Sequence, residues 1–253
     1  MTNYKVFMRN EINNDVIWTL LEDNFNRYYP ESNTQQNIPK KIHQIWLGGA
    51  FPDKYNRFVE TWKINNPEWE YRLWTDADIE ELNLDNINQF NLIKNLGAKS
   101  DILRYEILYR FGGLYIDTDF ECLKNFDDLL YLDLFCGTGH VNEPGTFNGL
   151  IACKPKHELI RKLIDNIKVF DTINPVEILK LTGPQYFSDL LFDYIENNKN
   201  EKIIVFPTVF FYPFPATERY RVRKDDDDTK EIVKPYLTDK SYCVHMWYTS
   251  WQN

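Results

Sequence analysis

The spacing of apolar side chains changes period several times between Lys41 and Asp119, and each change predicts an element. The run KIHQIWLGG reads as a strand that stops at Gly48 and Gly49, and DKYNRFVETWKINN then has the spacing of a helix. Beyond Asn66-Pro67, EYRLWT predicts a second strand, and Asp76 is placed to cap the short helix DADIEEL. Strand, helix, strand, helix in this order predicts a βαβ unit and a parallel sheet, so the fold class is α/β. Ile102, Leu103, Ile107, Leu108 and Phe111 then recur at helical intervals until Gly112-Gly113 ends the helix. LYIDTDF resumes as a strand, with Leu114 and Ile116 on one face and Tyr115, Asp117 and Asp119 on the other. Upstream, Val16, Ile17, Leu20, Leu21 and Phe25 form a short amphipathic helical pattern followed by the polar stretch PESNTQQN. Residues 1–37 are therefore expected to be an N-terminal helical extension, and residues 38–253 the main domain.

Composition narrows the function classes. The chain has 253 residues, 43% apolar, with 7 Trp, 16 Tyr and 17 Phe, enough to bury a real core. With 29 basic against 38 acidic residues the net charge is −9, a poor match to a nucleic-acid backbone or an anionic membrane surface. The longest apolar stretch, Ile203 to Phe214, is interrupted by Pro207, Thr208 and Pro213, so no transmembrane segment is expected. The N-terminus lacks a basic segment leading into an apolar one, and the expected compartment is cytoplasmic. Cys122, Cys136, Cys153 and Cys243 are scattered, which predicts buried thiols and neither a zinc site nor a disulfide framework. The run Asp225 to Asp228 is expected to be a solvated loop.

The chemistry concentrates in residues 98–121. Two carboxylates at i and i+2 on one strand face repel each other unless a cation lies near them. A divalent metal with hard oxygen ligands meets that need, Mg²⁺ or Mn²⁺ being the natural choices, and such ions recruit phosphate oxygens to complete their shells. Asp117 and Asp119 capping a strand end or pairing with arginines is the alternative. Ser100, Asp101 and Arg104, three and four residues apart, share one helical face just before that strand. They form either a solvent-facing ion pair or a polar wall that grips a ligand's hydroxyls and phosphates.

The stretches IPKKIHQIWLGG, NPEWEYRLWTD, AKSDILRYEILYRFGGLYIDTDFECL, FNGLIACKPKH, LTGP and VHMWYTSW, in this order over residues 38–251, resemble the glycosyltransferases with a DxD sugar-binding region. That family is related to the yeast initiating α-1,6-mannosyltransferases and to the catalytic domain of the large clostridial glucosylating toxins. The resemblance implies a GT-A fold, a Rossmann-like nucleotide-sugar-binding architecture whose mostly parallel central sheet is flanked by helices. It also implies retention of anomeric configuration, with a UDP-sugar or GDP-mannose as donor and a glycan or other hydroxyl as acceptor. By the same resemblance Trp46 lies beside the nucleobase, Asp101 and Arg104 contact sugar and diphosphate, and Ser100 and Tyr115 support them. Asp117 touches ribose or sugar hydroxyls, Asp119 is the direct metal ligand, Asn148 lies near the sugar, and the turn at Gly183 brings backbone close to the substrate. The terminal segment closes over the donor, with His245 as a metal or phosphate contact, Ser250 reaching metal or phosphate and Trp251 the leaving diphosphate. An imidazole among oxygen ligands moves the expected ion from Mg²⁺ towards Mn²⁺.

Two other classes fit the sequence less well. A phosphatase with a nucleophilic Asp in a DxD wants a small residue two beyond the second Asp, where this chain has Glu121. A catalytically silent sugar-nucleotide-binding module fits poorly with intact Asp117, Asp119, Arg104 and His245.

Overall fold

A six-stranded sheet in the order β2-β1-β3-β6-β5-β7 organises the molecule. The computed structural model describes residues 4–8, 15–30, 35–141, 143–170, 172–222 and 229–248. Its strands are β1 (Lys41–Ile45), β2 (Glu70–Trp74), β3 (Gly113–Ile116), β4 (Phe120–Cys122), β5 (Leu134–Gly137), β6 (Phe147–Cys153), β7 (Ile203–Phe206) and β8 (Cys243–His245). β1 pairs parallel with β2 and β3, β5 pairs parallel with β7, and β6 alone runs against its neighbours β3 and β5. The expected mostly parallel α/β sheet is thus present, flanked by helices. β4 and β8 form a separate two-stranded ribbon.

The helices used below are α1 (Val16–Tyr28), α2 (Asn56–Asn65) and α3 (Leu96–Phe111). In α1 the buried face is Trp18, Leu21, Asn24 and Phe25, whereas Val16 is 77% exposed. The stripe is therefore rotated from the Val16/Ile17/Leu20 edge towards the tryptophan. Asp15 caps this helix by accepting from the Ile17 amide at 2.7 Å, and Asn24 Nδ2 donates to the Ile203 carbonyl at 3.2 Å, fixing α1 to β7. Its residues share one hydrophobic cluster with the sheet. The four cysteines are free and buried.

One capping assignment needs correction. Thr75, not Asp76, begins the short helix after β2, exchanging hydrogen bonds with Asp78 in a capping box. Asp76 instead accepts from the Gly48 amide at 2.8 Å and so ties down the loop after β1.

α3 starts with Asn95 accepting from the Ala98 amide at 3.0 Å and stops at Gly112, whose φ of 62° is left-handed. Gly113 follows at φ 93°, and a Cβ there would sit 2.7 Å from the Lys41 carbonyl oxygen of β1. These two glycines let the chain reverse from helix into β3 against its neighbour. β3 ends at Ile116, so Asp117 and Asp119 lie in the turn beyond it rather than on a continuous strand. The tilt from strand to turn still leaves Tyr115, Asp117 and Asp119 on one side of the chain, facing a common cavity.

Gly113→Ala should lower the free energy of unfolding by about 1–3 kcal/mol through the positive φ alone, and by more through the contact with β1. Gly49, at φ 136° with nothing within 4 Å of its virtual Cβ, carries only the first cost on substitution by Ala. Urea titrations of both variants check this. Equal losses would show that the approach of Gly113 to β1 is not a constraint.

Candidate functional site

The parallel strands β1 and β3 end on the same edge of the sheet, and β6, running the other way, begins there. That geometry collects Trp46, Asp117, Asp119 and Asn148 around a cavity of about 510 Å³, with α3 supplying Ser100, Asp101 and Arg104. Its position outside the carboxyl ends of strands is where open α/β sheets bind ligands.

Arg104 is the centre of the inner wall, its side chain 7% exposed. Its Nη2 lies 3.1 Å from Asp101 Oδ1, and its Nη1 lies 3.5 Å from Asp117 Oδ1 and donates to the Asn148 carbonyl at 2.6 Å. The guanidinium also sits 4.4 Å from the Tyr115 ring centroid. Burial alone would favour its neutral form, but Tyr115, Asp101 and Asp117 outweigh burial and hold it firmly charged. Asp101 is fixed from two further sides, by Asn148 Nδ2 at 2.8 Å and the Thr182 hydroxyl at 3.1 Å. Burial pushes its carboxyl up from the ordinary value, and these partners offset part of that rise. Of the two readings left open by the sequence, the solvent-facing ion pair is excluded.

Asp117 Oδ1 accepts from the Tyr115 hydroxyl at 2.8 Å. The other carboxylate oxygen lies against Gly149, where a Cβ would approach it to 2.5 Å. Asp119 is held by the ribbon: its Oδ2 accepts from the Tyr248 amide at 2.6 Å and its Oδ1 meets His245 Nε2 at 2.9 Å. His245 stacks on Phe120 at 4.3 Å with the rings 6° from parallel, because the two residues are directly opposed across β4 and β8. Burial raises the Asp119 carboxyl, but His245 and the Tyr248 amide outweigh it, and the net direction is downward.

Asp117, Asp119 and His245 offer ligand atoms that all lie within 4.8 Å of one another. The second ring nitrogen of His245, Nδ1, is buried without a hydrogen-bond partner. Two carboxylates and an imidazole whose Nε2 faces Asp119 form a donor set that fits a divalent cation, Mn²⁺ or Mg²⁺.

Trp46 also lines the cavity and is half-buried, its ring 5.5 Å from Phe51 and 5.2 Å from Tyr55. Trp46, Ser100, Asp101, Arg104, Tyr115, Asp117, Asp119, Asn148 and His245 all line this one cavity, and Trp247 joins them. Gly183 does not reach it; its neighbour Pro184 does, and its neighbour Thr182 binds Asp101. Ser250, Trp251 and the acidic run 225–228 lie outside the described residues. Sequence reasoning missed Gln44, Tyr105 and Gly149. Gln44 donates from Nε2 to the Asp117 carbonyl at 3.2 Å and accepts at Oε1 from the Tyr71 hydroxyl, and the Tyr105 hydroxyl links Asn148 to the Thr182 carbonyl. A polar Gln inside an otherwise buried strand was the only available signal for the first.

Residues 52–135 match the family described as a glycosyltransferase sugar-binding region containing a DXD motif. An uncharacterized glycosyltransferase of Acanthamoeba polyphaga mimivirus is 26% identical over 85% of this chain and 84% of its own length. Inositol phosphoceramide mannosyltransferase 1 of Schizosaccharomyces pombe is 30% identical over 70% of this chain, which spans 58% of that relative. Among solved structures, the PaToxG glycosyltransferase aligns with a TM-score of 0.48 at 18% identity, covering 77% of this chain and 79% of the other. The chain is a relative of glycosyltransferases, mannosyltransferases among them.

Because the folded Asp119 carboxyl is held below the usual carboxylate range, it contributes stability above the unfolded value of about 4 that is lost as pH falls through the lower folded value. Metal-free Asp119→Asn should therefore lose less stability than wild type between about pH 5 and pH 2.5. Urea unfolding across that range measures it, and parallel acid limbs would refute the assigned role of the His245 and Tyr248 contacts.

Proposed function

Starting from this kinship with glycosyltransferases, we propose that the chain is a retaining, metal-dependent GT-A hexosyltransferase. It moves a hexose or N-acetylhexosamine from a UDP-sugar or GDP-mannose to a hydroxyl of a glycan or other acceptor. The observation that carries the reading is that the Asp117–Asp119–His245 cluster, the buried Arg104–Asp101 pair and Trp46 all line one cavity.

In this reading Trp46 stacks on the nucleobase, a planar indole being well suited to it. Asp101, oriented by Asn148 and Thr182, accepts from sugar hydroxyls. Arg104 places a fixed positive charge where the diphosphate leaves, in a site too dry to screen it. Ser100 lines the same wall and Tyr115 holds Asp117 in place. Asp117, Asp119 and His245 hold the cation, Mn²⁺ by preference for the mixed oxygen and nitrogen set. A divalent ion held there would supply Lewis-acid stabilisation of the leaving diphosphate. The carboxylates lining the cavity among the described residues are Asp101, Asp117 and Asp119, all engaged by hydrogen bonds or ion pairs, and none stands free as a covalent nucleophile. Retention then proceeds by front-face substitution, with the leaving phosphate taking the acceptor proton.

The same reading assigns the chemistry to residues 38–253, since no described residue of 1–37 lines the cavity. In it Pro184, next to Gly183, forms part of the cavity's lining. No helix among the described residues is long and apolar enough to cross a membrane, and four buried free thiols favour a reducing, cytoplasmic setting.

Incubation with a panel of UDP- and GDP-sugars and Mn²⁺ should release one nucleotide and glycosylate an acceptor; chelation should stop turnover and Mn²⁺ restore it best. Asp119→Asn should reduce turnover by at least about 100-fold without loss of fold by circular dichroism. Activity that survives chelation, or a fully active Asp119→Asn, would reject the metal-dependent mechanism. Trp46→Ala should weaken the cognate nucleotide by about 1–3 kcal/mol, the worth of a stacked base, as read by calorimetry; an unchanged dissociation constant would return Trp46 to a packing role.

A further inference from the structure

Gly149 lies inside β6 and lines the cavity next to Asn148. A glycine within a strand weakens it, having no side chain to pack and more backbone freedom to lose. Left-handed backbone does not account for this one. Among the described residues the glycines with positive φ are Gly48, Gly49, Gly112 and Gly113, and Gly149 is not one of them. Space does account for it: a Cβ at 149 would sit 2.5 Å from Asp117 Oδ2 and 3.2 Å from Asp117 Cγ, with Phe120 Cε2 at 3.6 Å.

Neither side of that contact yields cheaply. The backbones are held together, because the Asp117 amide donates to the Gly149 carbonyl at 2.8 Å, one residue beyond the Ile116–Leu150 pair of the β3–β6 ladder. The carboxylate is held as well, its Oδ1 accepting from the Tyr115 hydroxyl at 2.8 Å and lying 3.5 Å from Arg104 Nη1. Turning the group to free Oδ2 would break the bond to Tyr115 and take a counter-charge from the buried guanidinium. Room for one oxygen and the fixing of the other are therefore a single constraint.

We propose that Gly149 is a positioning residue of the cation site: its missing side chain is what leaves the Asp117 carboxylate beside Asp119 and His245 while Tyr115 and Arg104 hold its other oxygen. The proposal rests on the metal-dependent reading above and adds to it a residue that acts through Asp117. Groups that orient a ligating side chain set metal affinity nearly as strongly as the ligands do.

Gly149→Ala adds only the Cβ. Mn²⁺ is titrated into wild type and Gly149→Ala without nucleotide, with free ion read by electron paramagnetic resonance. Metal-free melting is followed in these two proteins, in Asp117→Ala and in the double variant. Gly149→Ala should bind Mn²⁺ about tenfold more weakly or worse. Its effect on Tm should be unfavourable with Asp117 present and should disappear or reverse in the Asp117→Ala background, where the oxygen that the Cβ meets is gone. Equal Mn²⁺ affinity in wild type and Gly149→Ala would overturn the proposal and leave the metal reading standing. So would the same change in Tm in both backgrounds, the sign of a packing role in β6 alone. Wild type that fails to bind Mn²⁺ would remove both. Should Gly149→Ala alone not fold, the double variant must fold as Asp117→Ala does, and a double variant that stays unfolded overturns the proposal.

Discussion

Everything in this site is arranged around one buried guanidinium. A cation removed from water is tolerable only if its donors are met and its charge is balanced, and Arg104 finds Asp101 on its own helix, Asp117 from the turn after β3 and the Asn148 carbonyl from β6. Three separate elements are thereby registered to one planar group. Asp101 in turn carries Asn148 and Thr182, so the network extends to the turn before Pro184 without leaving a polar atom of Arg104 or Asp101 exposed to an apolar wall. Removing a member of such a network leaves its partner as an unpaired buried charge, so the network stands or falls as a unit.

The outer half of the site is held differently, by stacked rings. His245 lies between Phe120 and Trp247, 4.3 Å and 4.1 Å from their centroids. The β4–β8 ribbon sets this stack, because the pairing of Phe120 with His245 brings the imidazole beside the carboxylate that precedes Phe120. Trp247 adopts a left-handed φ of 59° and donates from its indole to the Phe214 carbonyl at 2.9 Å. Strain of this kind persists only where the surroundings over-determine it. The final strand is thus locked to the DxD turn at its C-terminal end, by the His245 side chain and the Met246 and Tyr248 amides.

Electrostatics connects the two halves. Within the cavity one guanidinium faces three carboxylates, an unsuitable host for a polyanionic diphosphate unless a further positive charge comes with it. Asp117 is the bridge, with one oxygen turned to Tyr115 and Arg104 and the other towards Gly149 and the open cavity. Gly149 is needed there for lack of a Cβ, and the carbonyl of the same glycine accepts the Asp117 amide at 2.8 Å.

The sequence by itself determined the period changes that make β1, α2, β2, α3 and β3, the glycine stop at Gly112-Gly113, and the parallel sheet those elements must form. It also determined which residues carry chemistry on the helix and turn around Asp101, Arg104, Asp117 and Asp119, since i, i+3 and i, i+2 spacings are local geometry. The capping of the helix after β2 was misread because Thr75 and Asp76 are adjacent and equally able caps, and Asp76 was claimed by Gly48, a residue 28 positions away. Only the tertiary structure decided that Arg104 is buried rather than solvent-facing, that Asp119 meets His245 across 126 residues of chain, and that Gln44, Tyr105 and Gly149 belong to the same neighbourhood. Those contacts have no period and no motif. They arise where the antiparallel strand β6 and the β4–β8 ribbon return to the carboxyl edge of β1 and β3, and pairing across such distances is set by the packing of the whole core rather than by any stretch of the chain.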